Sequence, residues 1–575
     1  MDRTTWIAVT LCVIGLVLWE IYVANQTRSK PVPATGAPTA TFSPTPGLAT
    51  NAPTPVVSPP PTSTPQPSAS VAPFPELKDT LRNSDVELHL TNRGGGIAEA
   101  VLLNHIAEEN KRVTLNSADH PPIGAIIENP ATPLLPEYKM TRQGDAVSFE
   151  RVTPEQVTIR KKFFFPPTTE KKDNYIAELD VDFQNGGATT YANSGYFVAL
   201  GSAEQIHPKD YPSFTRLVWC INGKAKGIDI GWFVGGGGVL GLGARAPQPF
   251  YQESLAAGGE WVAVTDQFFT TLVAPLTEKA NSVWGRRFEV TRWADQKAGG
   301  LEGALGMPGL KIEPGQTYTA RFEIYVGPKL YHRLATLPHN EAEVMEFGFF
   351  KIVCQALLNA LNGLHSLIGN YATSILALTV IVKGILWPIQ SKANRSMRQM
   401  SALAPKIQEL REKYKDDPTR MNQEVMKLYK QYGINPVGGC LPMMIQIPIF
   451  FGLFTMLRQA VELRNAHFLW IRDLSQPDTV GHLPVLDWPI NVLPLLMALT
   501  NVWMMRLTPK SGDPTQQRIM MFTPIIFVVF CYNFAAALAL YYTTQNLLTI
   551  LQLYLNRRQP IPKLEKVTPP DKRKR

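Results

Sequence analysis

The sequence predicts a polytopic α-helical membrane protein with six transmembrane helices, joined to an all-β sandwich domain. Three observations carry this prediction. From about residue 348 onward the 575-residue chain is dominated by long apolar runs. Residues 76–337 instead show short alternating runs divided by Gly, Pro and Asn. Basic residues, within a net charge of +9, crowd between the second and third spans and at the C-terminal end.

Residues 6–24 are apolar and long enough to cross a bilayer, which takes roughly 20 residues. The positive start is weak, with Arg3 beside Asp2, and bulky Tyr22 holds the third position before a cut after Ala24. An uncleaved anchor over 1–24 is therefore expected rather than a signal peptide. Residues 25–75 are rich in Pro, Thr, Ser and Ala and carry no apolar period. Such a chain cannot bury enough surface to offset its ordering entropy, so a disordered, extended linker is expected. Across 76–337, period-two runs at 86–90, 147–152, 175–183, 196–201, 261–273 and 318–327 predict strands. Little helical periodicity interrupts them, which predicts a soluble sandwich.

The helical core is expected over 338–556. In 340–365, Phe347, Phe350, Val353, Leu357, Leu361 and Leu364 recur at steps of three and four, an amphipathic helix suited to a membrane surface. Apolar stretches at 366–388, 440–461, 490–505, 519–534 and 538–555 predict spans. The last two form almost one run. A single helix of that length would extend roughly 55 Å, against a hydrocarbon core of about 30 Å, so the run must turn back. Residues 389–435 predict a helical hairpin, with Met397, Met400, Leu403, Ile407 and Leu410 on one arm and Val425, Leu428 and Tyr432 on the other. Asp416-Asp417-Pro418 divides the arms, with Pro suited to a first helical turn. This hairpin region is strongly basic, as is the tail over 557–575, whereas the loop between the third and fourth spans is acidic on balance. Positive loops stay in the cytoplasm. Both termini are then cytoplasmic and the β-domain lies on the far side of the membrane.

Lys383 lies inside an apolar stretch, where a lysine at mid-bilayer costs about 2.5–3.5 kcal/mol. Two readings fit. The ammonium is held in a wet groove, or it snorkels past Pro388 to the headgroups. Thr379 lies one turn earlier on the same face, and Gln446 interrupts the third span. In the sixth span Tyr542, Gln545, Asn546, Thr549 and Gln552 form a polar stripe. Interhelical hydrogen bonding, worth about 0.6 kcal/mol per contact, explains such a stripe; so does a shared aqueous cavity.

Asn435-Pro436-Val437-Gly438-Gly439-Cys440-Leu441-Pro442, continued by Gln446-Ile447-Pro448-Ile449-Phe450, resembles the signature of the YidC family. Asp513-Pro514, Gln516-Gln517, residues 520–524, Leu540-Tyr541-Tyr542 and Asn546-Leu547 match its later spans, and Thr91-Asn92-Arg93-Gly94-Gly95 resembles the start of the periplasmic domain in Gram-negative members. The resemblance implies an insertase of the bacterial inner membrane that inserts and folds nascent membrane proteins, alone or with the Sec translocon. It implies a five-helix core around a hydrophilic groove, and a periplasmic domain like a galactose-mutarotase supersandwich. The groove arginine of the family corresponds to Lys383 here, and the Pro-Ser-Gly before its sixth span to Ala535-Ala536-Ala537. Thr379, Gln446, Ile447, Phe450, Tyr541, Tyr542, Gln545, Asn546 and Thr549 become the candidate groove and substrate contacts. The cytoplasmic hairpin and basic tail become candidate contacts to a ribosome, since phosphates need only Lys and Arg; a solvated topology signal explains the tail equally well.

No catalytic residues, cofactor, metal or small-molecule substrate are expected. The five cysteines, Cys12, Cys220, Cys354, Cys440 and Cys531, have no metal-like spacing. Residues 241–246 fit a GxGxxA fingerprint but follow a glycine run and precede Pro247 rather than opening a helix, so a β-domain loop is expected. A secondary transporter with a polar midplane site is the alternative, although no internal repeat of the kind common in transporters is visible.

Overall fold

The computed structural model describes residues 74–167, 174–236, 245–290, 298–434, 441–483, 488–508, 529 and 531–557. The expected anchor, nearly all of the linker, most of the 519–534 stretch and the tail beyond residue 557 lie outside the described residues, as do 241–244 of the glycine-rich fingerprint and 435–440 of the family signature.

Alternation builds a β-rich domain. In the strand Ile176–Asn185 the side chains of Ala177, Leu179, Val181 and Phe183 are buried, every second residue as a pleated surface demands. That strand pairs with Thr317–Pro328 on one side and Val157–Phe164 on the other within an antiparallel nine-stranded sheet. A five-stranded sheet centred on Ala298–Pro308 and a four-stranded sheet starting at Lys78–Arg82 complete the domain. Leu88, Val198, Leu217, Val264 and Leu305 from all three sheets share one core cluster. The nine- and five-stranded sheets touch at Gly303, where an added Cβ would lie 2.6 Å from Val264.

The expected run over 261–273 is divided. Asp266 Oδ1 accepts from the amides of Phe268 and Phe269 at 2.7 and 2.8 Å, folding the run into the hairpin Trp261–Thr265 and Phe269–Pro275. The Thr91-to-Gly95 motif is a buried turn. Gly94 and Gly95 take φ of +70° and +57°, and the buried Lys161 ammonium donates to the Gly94 carbonyl at 2.6 Å.

Seven helices are needed for the core: α1 (Lys351–Ile368), α2 (Tyr371–Ala402), α3 (Ala404–Lys413), α4 (Pro418–Gln431), α5 (Leu441–Gln459), α6 (Val492–Leu507) and α7 (Ala536–Arg557). Helix α1 ends at Gly369, whose φ of +76° only glycine adopts without strain, and Asn370 caps α2 by accepting from the Thr373 amide. The expected boundary at 366 therefore moves to 371, and the amphipathic helix starts at 351 rather than 340. Helix α2 does not stop at Pro388 but runs on to Ala402. Its 32 residues extend about 48 Å, well beyond a hydrocarbon core. Among the described residues α2 is the one helix both long and apolar enough to cross a bilayer; α6 is apolar but has 16 residues. Helices α3 and α4 pack together around Leu403, Ile407 and Ile434, while Met397 and Met400, expected on the first arm of a 389–435 hairpin, belong to α2 because it runs on past Pro388.

The β-domain grips the core where α5 ends. The Arg458 guanidinium lies 4.0 Å from the Tyr211 ring and 4.9 Å from Phe214, while the Arg458 carbonyl accepts from Gln267 Nε2 at 2.7 Å. Arg464 comes within 3.9 Å of Asp210, which also accepts from Gln476 Nε2 at 3.0 Å. Burial pushes the Asp210 carboxyl up from 3.8 to about 6 despite that guanidinium, and Asp473 adds to the rise. Between those values the native state holds more proton than the unfolded chain, so Asp210 makes stability fall as pH rises through this window. His105 and His207, pushed down to about 4 by burial, act in the opposite sense. The difference between wild type and Asp210→Asn isolates the carboxyl: the variant should gain stability relative to wild type as pH rises from about 4 to 6, read from denaturant midpoints at each pH.

Candidate functional site

Helix α2 is inverted relative to a soluble helix. Ser374, Thr379, Lys383 and Gln390 are buried, whereas Val380, Ile381 and Ile385 are exposed, Ile385 at 68%. Helix α7 repeats this, with Thr543, Gln545, Asn546 and Gln552 buried and Leu547, Leu551 and Leu555 exposed. Apolar residues outside and polar residues inside suit a lipid solvent, not water.

Lys383 sits where α2 meets α7 and is 2% exposed. Its Nζ donates to Gln390 Oε1 at 2.5 Å, two turns along α2, and to Thr549 Oγ1 at 2.9 Å on α7. The ammonium thus points into the bundle. In this arrangement it is enclosed rather than open to a groove. Thr549 passes a hydrogen bond on to the Gln545 carbonyl at 2.7 Å. Gln552 Nε2 donates to the Trp387 carbonyl and Ser391 Oγ at 3.4 and 3.3 Å. Two buried acceptors on this face of α7, Gln545 Oε1 and Gln552 Oε1, have no protein partner. Buried amide oxygens without a partner are rare, and water or another polar group satisfies them in most folded proteins.

The other predicted residues fall into separate places. Gln446 Nε2 reaches Tyr541 OH at 3.3 Å, and Phe450 meets Tyr542 edge-on at 5.4 Å, both between α5 and α7. Asn546 turns to α6, donating to Thr500 Oγ1 at 3.1 Å. Thr379 is buried but spends its hydroxyl on the Ile375 carbonyl at 2.6 Å. Ile447 faces outward. Sequence reasoning missed Gln390 as the partner of Lys383; the seven-residue spacing, two turns on one face, is the signal that could have found it.

Comparison with known proteins fits this two-part layout. The family model "YidC periplasmic domain" matches residues 79–360, and "60Kd inner membrane protein" matches 363–563. A relative from Syntrophobacter fumaroxidans named "Membrane protein insertase YidC" is 39% identical over 300 residues, covering 51% of this chain and 53% of its own length. One of the same name from Nitratidesulfovibrio vulgaris is 28% identical over 585 residues, covering 96% of this chain and 98% of its own. A solved structure titled as an active YidC insertase with its first transmembrane domain resolved covers 84% of this chain and 93% of its own at 18% identity, with a TM-score of 0.34. The fold and the two matched halves define an inner membrane protein with a periplasmic β-rich domain. The chain belongs to the YidC family. None of these matches supports the transporter alternative.

Among the contacts of Lys383 no carboxylate appears. Replacing a buried unpaired charge by an apolar side chain of similar length is typically neutral or stabilising. Lys383→Met should therefore melt in detergent no lower than wild type while losing insertion activity, separating a functional charge from a structural one.

Proposed function

We propose that the chain inserts and folds inner-membrane proteins by offering their polar segments a hydrated, cationic path partway through the bilayer. The inverted burial of α2 and α7, with Lys383 facing inward, is the observation that supports this most. A polar segment crossing hydrocarbon loses its hydration at a cost of several kcal/mol per unpaired group. The Lys383 ammonium and the open amide oxygens of Gln545 and Gln552 replace part of that hydration. In this reading an incoming acidic or polar tail parts α2 from α7, takes the place of Gln390 and Thr549 at the ammonium, and leaves while the apolar substrate helix slides along α5 and α7 into lipid. No nucleotide or covalent step is involved.

In the same reading the chain spans the membrane six times with both termini in the cytoplasm. Nascent membrane proteins are the clients, and the Sec translocon and a ribosome are partners, the latter met by the α3–α4 hairpin and the basic tail.

In a liposome insertion assay, Lys383→Glu should reduce insertion of substrates with acidic tails by about fivefold or more, while Lys383→Arg retains most activity. Equal activity of the two variants excludes a role for the charge. A photo-crosslinker at Tyr542 or Thr549 should capture a stalled nascent chain.

A further inference from the structure

A cleft of about 340 Å³ opens where the β-domain meets the turn between α5 and α6. Lys209 and Tyr211 line it from the β-domain, Thr479 and His482 from a hairpin, and Pro489 and Asn533 from the approaches to α6 and α7. None of its lining residues is acidic. The Arg458 guanidinium, 4.0 Å from the Tyr211 ring, adds a second cationic group beside the wall, after Lys209.

Position and polarity single this cleft out. The hairpin pairs Thr479–Leu483 with Trp488–Asn491, setting His482 opposite Pro489 and Leu483 opposite Trp488. Successive residues of a strand face opposite sides. The His482 side of the hairpin lines the cleft, and the Leu483–Trp488 side is presented outward, 47% and 55% exposed. An exposed tryptophan beside an exposed leucine, four residues before an apolar helix begins at Val492, is the pattern of the membrane interface. The hairpin then lies at headgroup depth, with its apolar face against lipid and its polar face on the cleft. The cleft carries the Lys209 ammonium and the His482 ring and is bounded by the approaches to two apolar helices, and with the hairpin at the membrane interface it would lie at the level of lipid phosphates.

We propose that this cleft binds the headgroup of an anionic phospholipid in the extracytoplasmic leaflet, the phosphate lying between Lys209 and His482 and the glycerol against Tyr211, Thr479 and Asn533. Such a lipid ties the β-domain to the membrane surface at the point where Arg458 and Arg464 already tie it to the helical core. The proposal rests on the chain being embedded in a membrane, not on how it inserts clients.

The test is hydrogen exchange of the full chain in nanodiscs of phosphatidylglycerol or of phosphatidylcholine, read over residues 207–212 and 477–483. In wild type, exchange should be about fivefold slower or more in phosphatidylglycerol, as expected for one or two basic groups at an anionic surface. The Lys209→Gln/His482→Gln variant should lose that difference while its β-domain core strands keep wild-type protection, which shows that it is folded. Equal exchange of wild type in the two lipids overturns the proposal, as does a difference that survives in the variant. Equal slowing by inorganic phosphate added to phosphatidylcholine discs also overturns it, since the site then takes free phosphate.

Discussion

The helical core is organised around one charge held among neutral dipoles. Lys383 meets an amide oxygen and a hydroxyl, each close enough for a charge-assisted hydrogen bond. Bonds of that kind contribute about 1.5–3 kcal/mol each, so two of them offset the roughly 2.5–3.5 kcal/mol that a lysine costs at the centre of a membrane helix. A carboxylate partner would bind the ammonium more tightly and neutralise it. With neutral partners the charge stays unpaired and its field remains available to whatever enters the bundle. This choice explains why α2 and α7 pack with polar faces inward, why Gln390 and Thr549 converge on one atom, and why amide oxygens are left open beside them.

Holding that arrangement requires α7 to be fixed at its N-terminal end, where a helix begins with unsatisfied amides. The Ala536 and Ala537 amides donate to the carbonyls of Gln476 and Leu474 at 2.8 and 3.0 Å. The loop after α5 thus caps α7 with backbone alone. The same loop reaches Asp210 through Gln476 and Arg464, and Asp478 Oδ2 accepts from the Leu493 amide at the start of α6 at 2.7 Å. One short loop therefore links α5, α6, α7 and the β-domain. A disturbance of the β-domain contact is passed to the end of the helix that carries the polar stripe.

Periodicity made much of this legible in the sequence. Strand alternation located the β-domain, the steps of three and four marked α1 and the helical character of α3 and α4 but not the end of α2, and Lys383 stood out as a charge in an apolar run. Contacts between distant segments did not show. Nothing in the run 261–273 marks Asp266 as a turn until its carboxylate is seen on two amides. Helix α2 continues past Pro388 because a proline removes one ladder bond but leaves the remaining turns and their packing. Arg458 and Arg464 read as ordinary flanking charges, since their partners Tyr211 and Asp210 lie far away in the chain. The predicted site residues were chosen for polarity and resemblance, and polarity alone does not say which neighbour each will face. Gln446, Asn546 and Lys383 therefore turned out to face three different helix contacts.

A lysine rather than an arginine at position 383 follows from the space around it. An arginine presents a planar fork suited to a carboxylate, while an ammonium is a compact point charge with three rotatable donors. Gln390 Oε1 and Thr549 Oγ1 lie on different helices and take one N–H each, which a tetrahedral ammonium does without needing its acceptors in one plane. Among the described residues the third N–H has no acceptor. In the proposed function it can meet the first polar group of an incoming chain before that chain displaces Gln390 and Thr549. A planar clamp would favour one geometry and one class of ligand. Under the proposed function, the arrangement around Lys383 instead suits brief contact with many unrelated polar segments, each stabilised by charge and none held by shape.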